Sequence, residues 1–200
     1  VIATLRSELH RTLTIPSSWG SMAAATLIGL SFSWFSVDFW SLFAALGVFG
    51  IAVITTSQHY QHRTAVLLFL GQPRRLRVLA AQGVTAIVIG LATVLVSGIA
   101  ILPGKEWVQY FGTLAATPLL ALFAVASATV IRRPIWLFVG FGGWFVFVDG
   151  LIFRFKQPLP FTALIQASGG HPKGLLIFTV YTVAALILAG WAIRRDLSTD

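Results

Sequence analysis

Apolar residues in this chain come in long unbroken runs rather than at alternating or half-buried positions. Uncharged runs cover residues 22–37, 39–57, 78–102, 107–131 and 175–193, and a sixth, 135–153, carries one charge, Asp149. A helix needs ~20 residues to cross ~30 Å of hydrocarbon. The third and fourth runs are long enough to tilt. The first two are short and separated only by Asp38, so they are expected to form a hairpin with its tip at one membrane face. A single span followed by a re-entrant piece is the alternative. The pattern predicts an all-α integral membrane protein with six transmembrane helices, arranged as one domain over residues 1–200. Spans 1 and 2 fall in 22–57, spans 3 and 4 in 78–131, span 5 in 135–153 and span 6 in 175–193.

The intervening segments carry their own patterns. In residues 1–15, Ile2, Leu5, Leu9 and Leu13 recur at helical spacing with Arg6, Glu8, His10 and Arg11 between them. Such a helix lies in the interface with its apolar side in lipid. Pro16, Ser17, Ser18 and Gly20 are expected to break it before the first span. Residues 58–72 are too polar at their start to span and too apolar at 65–70 to be a free loop. Pro73 suits the first turn of the next helix, where its missing N–H costs nothing. The 154–173 segment holds Pro158, Pro160, Pro172 and a Gly169–Gly170 pair among apolar residues, which predicts a short helix or re-entrant piece packed on the membrane face.

Composition agrees with a lipid environment. Of 200 residues, 57% are hydrophobic and 10% charged, and the mean hydropathy is +0.87. A soluble domain of this size is nearer a quarter charged and could not hide this much apolar surface in one core. The first run starts after residue 20 and is followed by further spans, which argues against a cleaved signal peptide. The absence of cysteine excludes disulfides, thiolate metal sites and cysteine nucleophiles.

The net charge of +8 would suggest nucleic acid in a soluble protein. Here the arginines fall between apolar runs, so they read as positive-inside topology and contact with anionic lipid, with no nucleic-acid partner. With six spans and the N-terminus inside, ten basic residues face the cytoplasm (Arg6, Arg11, Arg63, Arg74, Arg75, Arg77, Arg132, Arg133, Arg194 and Arg195). Four face outward: Lys105, Arg154, Lys156 and Lys173. Both termini are therefore expected in the cytoplasm.

Chemistry-bearing motifs are sparse. There is no phosphate loop and no HExxH pair. His59 and His62 stand three apart on a helix-compatible stretch, but no third ligand accompanies them, so no metal site is expected. Neither Asp38 nor Asp149 has a histidine on a neighbouring segment end, so no catalytic residue is assigned. Asp149 is the one acid inside a span. A buried charge there costs on the order of 3 kcal/mol, which makes it a functional candidate; the plainer reading has it near the outer end, reaching toward Arg154. Trp34, Phe35, Phe39, Trp40 and Phe43 gather at the first hairpin tip, mostly as an interfacial belt.

The cytoplasmic segment resembles the membrane subunit of type-2 ABC exporters. In that family the second span ends close to E-Y-R-H-G-T, followed by an apolar helical stretch, then P-R-R and a V-L-A-A-K run. Here the corresponding text is His59-Tyr60-Gln61-His62-Arg63-Thr64, then Pro73-Arg74-Arg75, Arg77 and Val78-Leu79-Ala80-Ala81-Gln82. His59, Gln61, Arg63 and Gln82 depart from the pattern, so the acid of the family motif has no counterpart at position 59. The 1–15 helix is similar to the family's elbow helix, and Ile131-Arg132-Arg133-Pro134 and Trp191 with Arg194-Arg195-Asp196 are similar to its turn between spans four and five and its chain end.

The resemblance implies a permease subunit of an ATP-driven exporter in the cytoplasmic membrane, moving a lipid, drug or amphipathic peptide. It implies no cofactor on this chain, with ATP and Mg held by a partner ATPase present in two copies, and a second permease chain, identical or different. It assigns 58–72 as the coupling helix, with Tyr60, His62, Arg63, Thr64, Leu67, Leu68, Pro73, Arg74 and Arg75 as coupling residues. Trp34, Phe35, Phe43, Phe141, Trp144 and Asp149 are the candidates for the substrate path, the five rings lying near the seam with the second permease. A membrane-embedded enzyme or assembly subunit, or an ion-coupled carrier, is the alternative; carriers usually show several intramembrane charges or repeated broken helices, and this sequence does not.

Overall fold

The computed structural model describes Ser7, Leu9, His10, Thr12, 14–61 and 75–195. Among these residues the chain is all-helical, with no strand. The helices are α1 (Pro16–Ser33), α2 (Val37–Gln61), α3 (Arg75–Ser97), α4 (Trp107–Ile131), α5 (Pro134–Gly143), α6 (Pro160–Ser168) and α7 (Pro172–Arg195). A 3₁₀ turn, Ile99–Gly104, follows α3, and a π-helical stretch, Trp144–Ile152, extends α5. Among the described residues five helical stretches are long and apolar enough to cross a membrane: Val37–Gln58, Leu76–Ser97, Trp107–Ile131, Pro134–Ile152 and Pro172–Arg195. This is the pattern of a multi-pass membrane protein.

The first expected span is the exception. Its helix, α1, has 18 residues and a polar first turn and a half, PSSWGS, so it falls below the hydropathy of the other five. Pro16 starts this helix instead of breaking one before it. Ile15 is the extended N-cap residue, and Ser18 and Trp19 donate backbone N–H groups to its carbonyl. Proline at the first position loses no hydrogen bond and presets φ, which is why the break lies one residue earlier than expected. Of the 1–15 segment, Ser7, Leu9, His10, Thr12 and Thr14 are helical; the rest of that expectation lies outside the described residues.

The α1–α2 hairpin is present. Its turn is Trp34–Ser36, and a Cβ on Gly47 would stand 2.9 Å from that of Ala25, so the two helices touch backbone to backbone. Small residues allow that approach in lipid, where packing rather than the hydrophobic effect holds helices together. The α2 helix does not stop at Ser57; it runs to Gln61, so the first residues of the 58–72 segment continue the span.

The run 78–102 is not one span. The α3 helix ends at Ser97, and Gly98 turns the chain into the 3₁₀ segment. A Cβ on Gly98 would lie 2.5 Å from Tyr110 and 2.6 Å from Trp40. Those rings stack with centroids 5.6 Å apart, and the Trp40 indole N–H donates to Ser97 Oγ at 3.2 Å. Two aromatic rings thus fill the space that a side chain at position 98 would need.

The hub is α4. It buries Ala116, Ala121, Ala124, Ala126 and Ala128 along with Gly112, Thr113 and Thr117, and packs against α2, α3, α6 and α7. Its residues are 61% buried across the apolar window, against 11% for the α5 and π stretch. That difference puts α4 in the centre and α5 at the periphery.

Candidate functional site

The sites expected from sequence are dispersed. Tyr60 lies in the last turn of α2 and Arg75 opens α3. His62, Arg63, Thr64, Leu67, Leu68, Pro73 and Arg74 lie outside the described residues. Trp34 and Phe35, at the hairpin turn, are 81% and 78% exposed. Phe43 stacks on Phe32 with centroids 3.7 Å apart and lines a shallow groove between α1 and α2. Trp144 is exposed on the π stretch. Of the five rings, only Phe141 lines the main cleft, so the structure does not bring them together within one chain.

Asp149 is fully buried and does not reach Arg154, which is exposed. Its Oδ2 accepts the Thr162 backbone N–H at 2.8 Å and the Thr162 hydroxyl at 3.1 Å. Thr162 stands in the first turn of α6, whose own N-cap residue, Leu159, has no side chain able to accept. Asp149 therefore caps α6 from another element. A carboxylate is suited to the position because the first-turn N–H groups and the helix dipole both favour negative charge.

The capping geometry depends on the π stretch. Its wider turn precedes Arg154 and Phe155, both at positive φ (49° and 55°), where side chains are rarely found. The Phe155 N–H returns to the Asp149 carbonyl at 2.7 Å. The chain thus folds back over Asp149, and the other carboxylate oxygen, Oδ1, is left buried without a partner.

The structure adds a cleft that sequence reasoning did not find. Helical spacing puts Leu42, Ala45, Leu46 and Phe49 on one side of α2, and Phe138, Phe141, Gly142 and Phe145 on one side of α5 and its extension. With Leu120 of α4 and Phe161, Leu164 and Ile165 from α6, they enclose an apolar cavity of about 230 Å³. Its rings pack edge to face: Phe49 with Phe141 at 5.5 Å, Phe141 with Phe161 at 5.8 Å and Phe145 with Phe161 at 5.6 Å.

This cavity adjoins a wider, more polar one of about 590 Å³ at the hairpin end of the bundle. The two share Leu42, Ala45, Phe145, Leu164 and Ile165, so they form one cleft with an apolar depth and a polar mouth. At the mouth the Gln109 amide donates to Asp38 Oδ1 at 2.8 Å and to Ser41 Oγ at 3.2 Å. Gln166 and His171 complete the rim.

His171 therefore lines the same cavity as Asp38. Gly170, at φ 81°, makes the turn that carries it there. Among the described residues no hydrogen bond joins His171 to Ser41 or Asp38, both of which are held by Gln109. Among the described residues no three of His, Cys, Asp or Glu converge in a way that could hold a metal. The cleft is apolar and aromatic in its depth and polar at its mouth. The signal was present in the sequence as the Phe138, Phe141, Phe145 stripe, but its opposite wall comes from helices far away in the chain.

Comparison with protein-family models, with curated proteins and with solved structures gives no match for this chain.

Proposed function

We propose that this chain is the permease subunit of an ATP-driven exporter of the type-2 ABC class. In this reading it lies in the cell membrane with both termini in the cytoplasm and works beside a second permease chain and two copies of a separate ATPase. ATP and Mg are bound by that ATPase, and this chain catalyses no reaction. The substrate is hydrophobic or amphipathic: a lipid, a drug or a peptide.

The observation that carries the reading is the cleft. It is apolar and aromatic in its depth and polar at its mouth, and it lies between helices of a multi-pass bundle. Such a site suits a molecule taken from the membrane and passed toward its surface. The peripheral α5 and its π extension, with Ile135, Trp136, Val139 and Phe147 all exposed, offer a side for a second permease chain. The motif string from Tyr60 to Gln82 supplies the link to an ATPase.

The test is at the coupling segment. Its apolar half, 65–70, contains side chains each worth roughly 1.5–3 kcal/mol when buried, and a groove on the ATPase is their proposed cover. Replacing Leu67 and Leu68 together by Asp is expected to release the ATPase and stop transport while the permease stays folded in the membrane. A double variant that still co-purifies with the ATPase and transports normally would make the segment a linker and remove the coupling role.

A further inference from the structure

The mouth of the cleft is lined by one carboxylate, which makes no ion pair among the described residues. Asp38, in the first turn of α2, is positioned by the Gln109 amide, a neutral donor that orients the group without neutralising it. The same amide spans to Ser41, so carboxylate, amide and hydroxyl form one connected rim. The segments that join helices at this end of the bundle carry Lys105, Arg154 and Lys156, the first turn of α7 carries Lys173, and all four are exposed. None of them lines either cavity. Only Asp38 and His171 among the lining residues are titratable.

Around that carboxylate the walls are aromatic. Phe39, Phe145 and Phe155 line the mouth, and Phe49, Phe138, Phe141 and Phe161 the depth. Ring faces attract cations and repel anions. Asp38 is itself exposed at the mouth, so its carboxylate is open to an incoming head group. Along α2 the lining runs from Asp38 to Phe49, ~16 Å at 1.5 Å per residue, so a head group held at Asp38 would place an extended alkyl chain down the apolar depth.

We infer that the cleft binds cationic amphiphiles, with the ammonium or comparable head at Asp38 and the apolar body among the phenylalanines of α2, α5 and α6. This rests on the permease reading only for its consequence, transport; the binding site stands on the cleft itself. Anionic amphiphiles are disfavoured by the same carboxylate, although the chain as a whole is strongly basic.

The experiment uses the full chain in lipid nanodiscs without any ATPase. Radiolabelled dodecyltrimethylammonium is the probe, with dodecyl sulfate and dodecyl maltoside as competitors. Saturable binding is expected, displaced by unlabelled cation at least tenfold more effectively than by either competitor. Asp38→Asn is expected to weaken binding at least tenfold. Gln109→Lys, which keeps the carboxylate but places a cation beside it, is expected to weaken it similarly. Leu42→Trp, which fills the junction of the two cavities, is expected to abolish it. Each variant is first shown to be monodisperse and to melt as the parent does; if Asp38→Asn fails that check, Gln109→Lys decides the point. Equal competition by dodecyl sulfate, or unchanged affinity in the qualifying Asp38 or Gln109 variants, overturns the cationic class. Unchanged affinity in Leu42→Trp overturns the site. ATPase recruitment is read separately by co-purification, so cation binding in a chain that recruits no ATPase would sink the exporter reading alone, and absence of cation binding in a chain that does recruit one would sink this inference alone.

Discussion

Replacing Asp149 by Leu should loosen α6 from the bundle before it unfolds anything else. The helix has nine residues, too few to be stable by itself in any solvent that competes for its backbone. Its first turn contains Pro160, which has no N–H, and the N-cap Leu159 offers no acceptor. The Thr162 N–H depends on Asp149 Oδ2, as does the Thr162 hydroxyl.

Hydrogen bonds to a charged group contribute about 1.5–3 kcal/mol each, and losing an N-cap costs about 0.5–2 kcal/mol. Against this, Leu removes a buried carboxylate whose Oδ1 has no partner. The two effects leave a net loss of about 2 kcal/mol, with a range of about 1–4. For a chain of this size that is a fall of roughly 4–8 °C in the midpoint of thermal unfolding.

A local probe separates this from a general defect. Ala163 and Ala167 on α6 are buried, and the parent has no cysteine to interfere. A cysteine at Ala163 should react with a small thiol reagent about 30-fold faster in the Asp149→Leu background, the rate ratio that about 2 kcal/mol implies. A cysteine at the buried Ala124 of α4 should not change. Asp149→Asn keeps an acceptor for Thr162 and should lose less than half as much. If Asp149→Leu melts with the parent and the Ala163 thiol reacts no faster, the capping role is wrong.

Two further outcomes follow from the packing. Alanine at Gly112 or Gly174 would press its Cβ to 2.5 Å from the Ser168 carbonyl oxygen or the Gln166 Cβ, with α6 backbone atoms within 2.9 Å in both cases; each should cost about 1–3 kcal/mol by thermal unfolding. Alanine at Gly140 or Gly142 meets nothing within 4 Å and should be neutral or stabilising by up to about 1 kcal/mol; equal effects at all four sites would refute the packing argument. For topology, Ser57 and Ser168 are buried, so the exposed Ser7 and Lys105 are the better cysteine positions. An impermeant reagent should label Lys105→Cys in intact cells and Ser7→Cys only after permeabilisation; the reverse pattern would overturn the expected orientation.

The sequence alone determined the environment and most of the helices. Long uncharged runs at 107–131 and 175–193 have one low-energy form in lipid, the helix, because nothing else satisfies their backbone groups there. The short α6 helix was legible for a related reason: prolines and glycines bounded an apolar stretch too short to span. Boundaries were less legible wherever another element set them. At the end of α3, the Trp40 and Tyr110 rings close on position 98 so tightly that only glycine fits. The π stretch and the return of the chain at Arg154 and Phe155 are stabilised by Asp149 reaching α6, a contact between residues whose spacing has no helical period. The cleft depended most on tertiary structure. Each wall reads in sequence as an ordinary apolar stripe, which fits lipid or core equally well. Only the packing of α2, α4, α5 and α6 puts those stripes face to face, and only the turn at Gly170 brings His171 to the rim that Asp38 and Gln109 begin. Hydrophobic periodicity specifies which side of a helix avoids water; it carries no term for which other helix that side will meet.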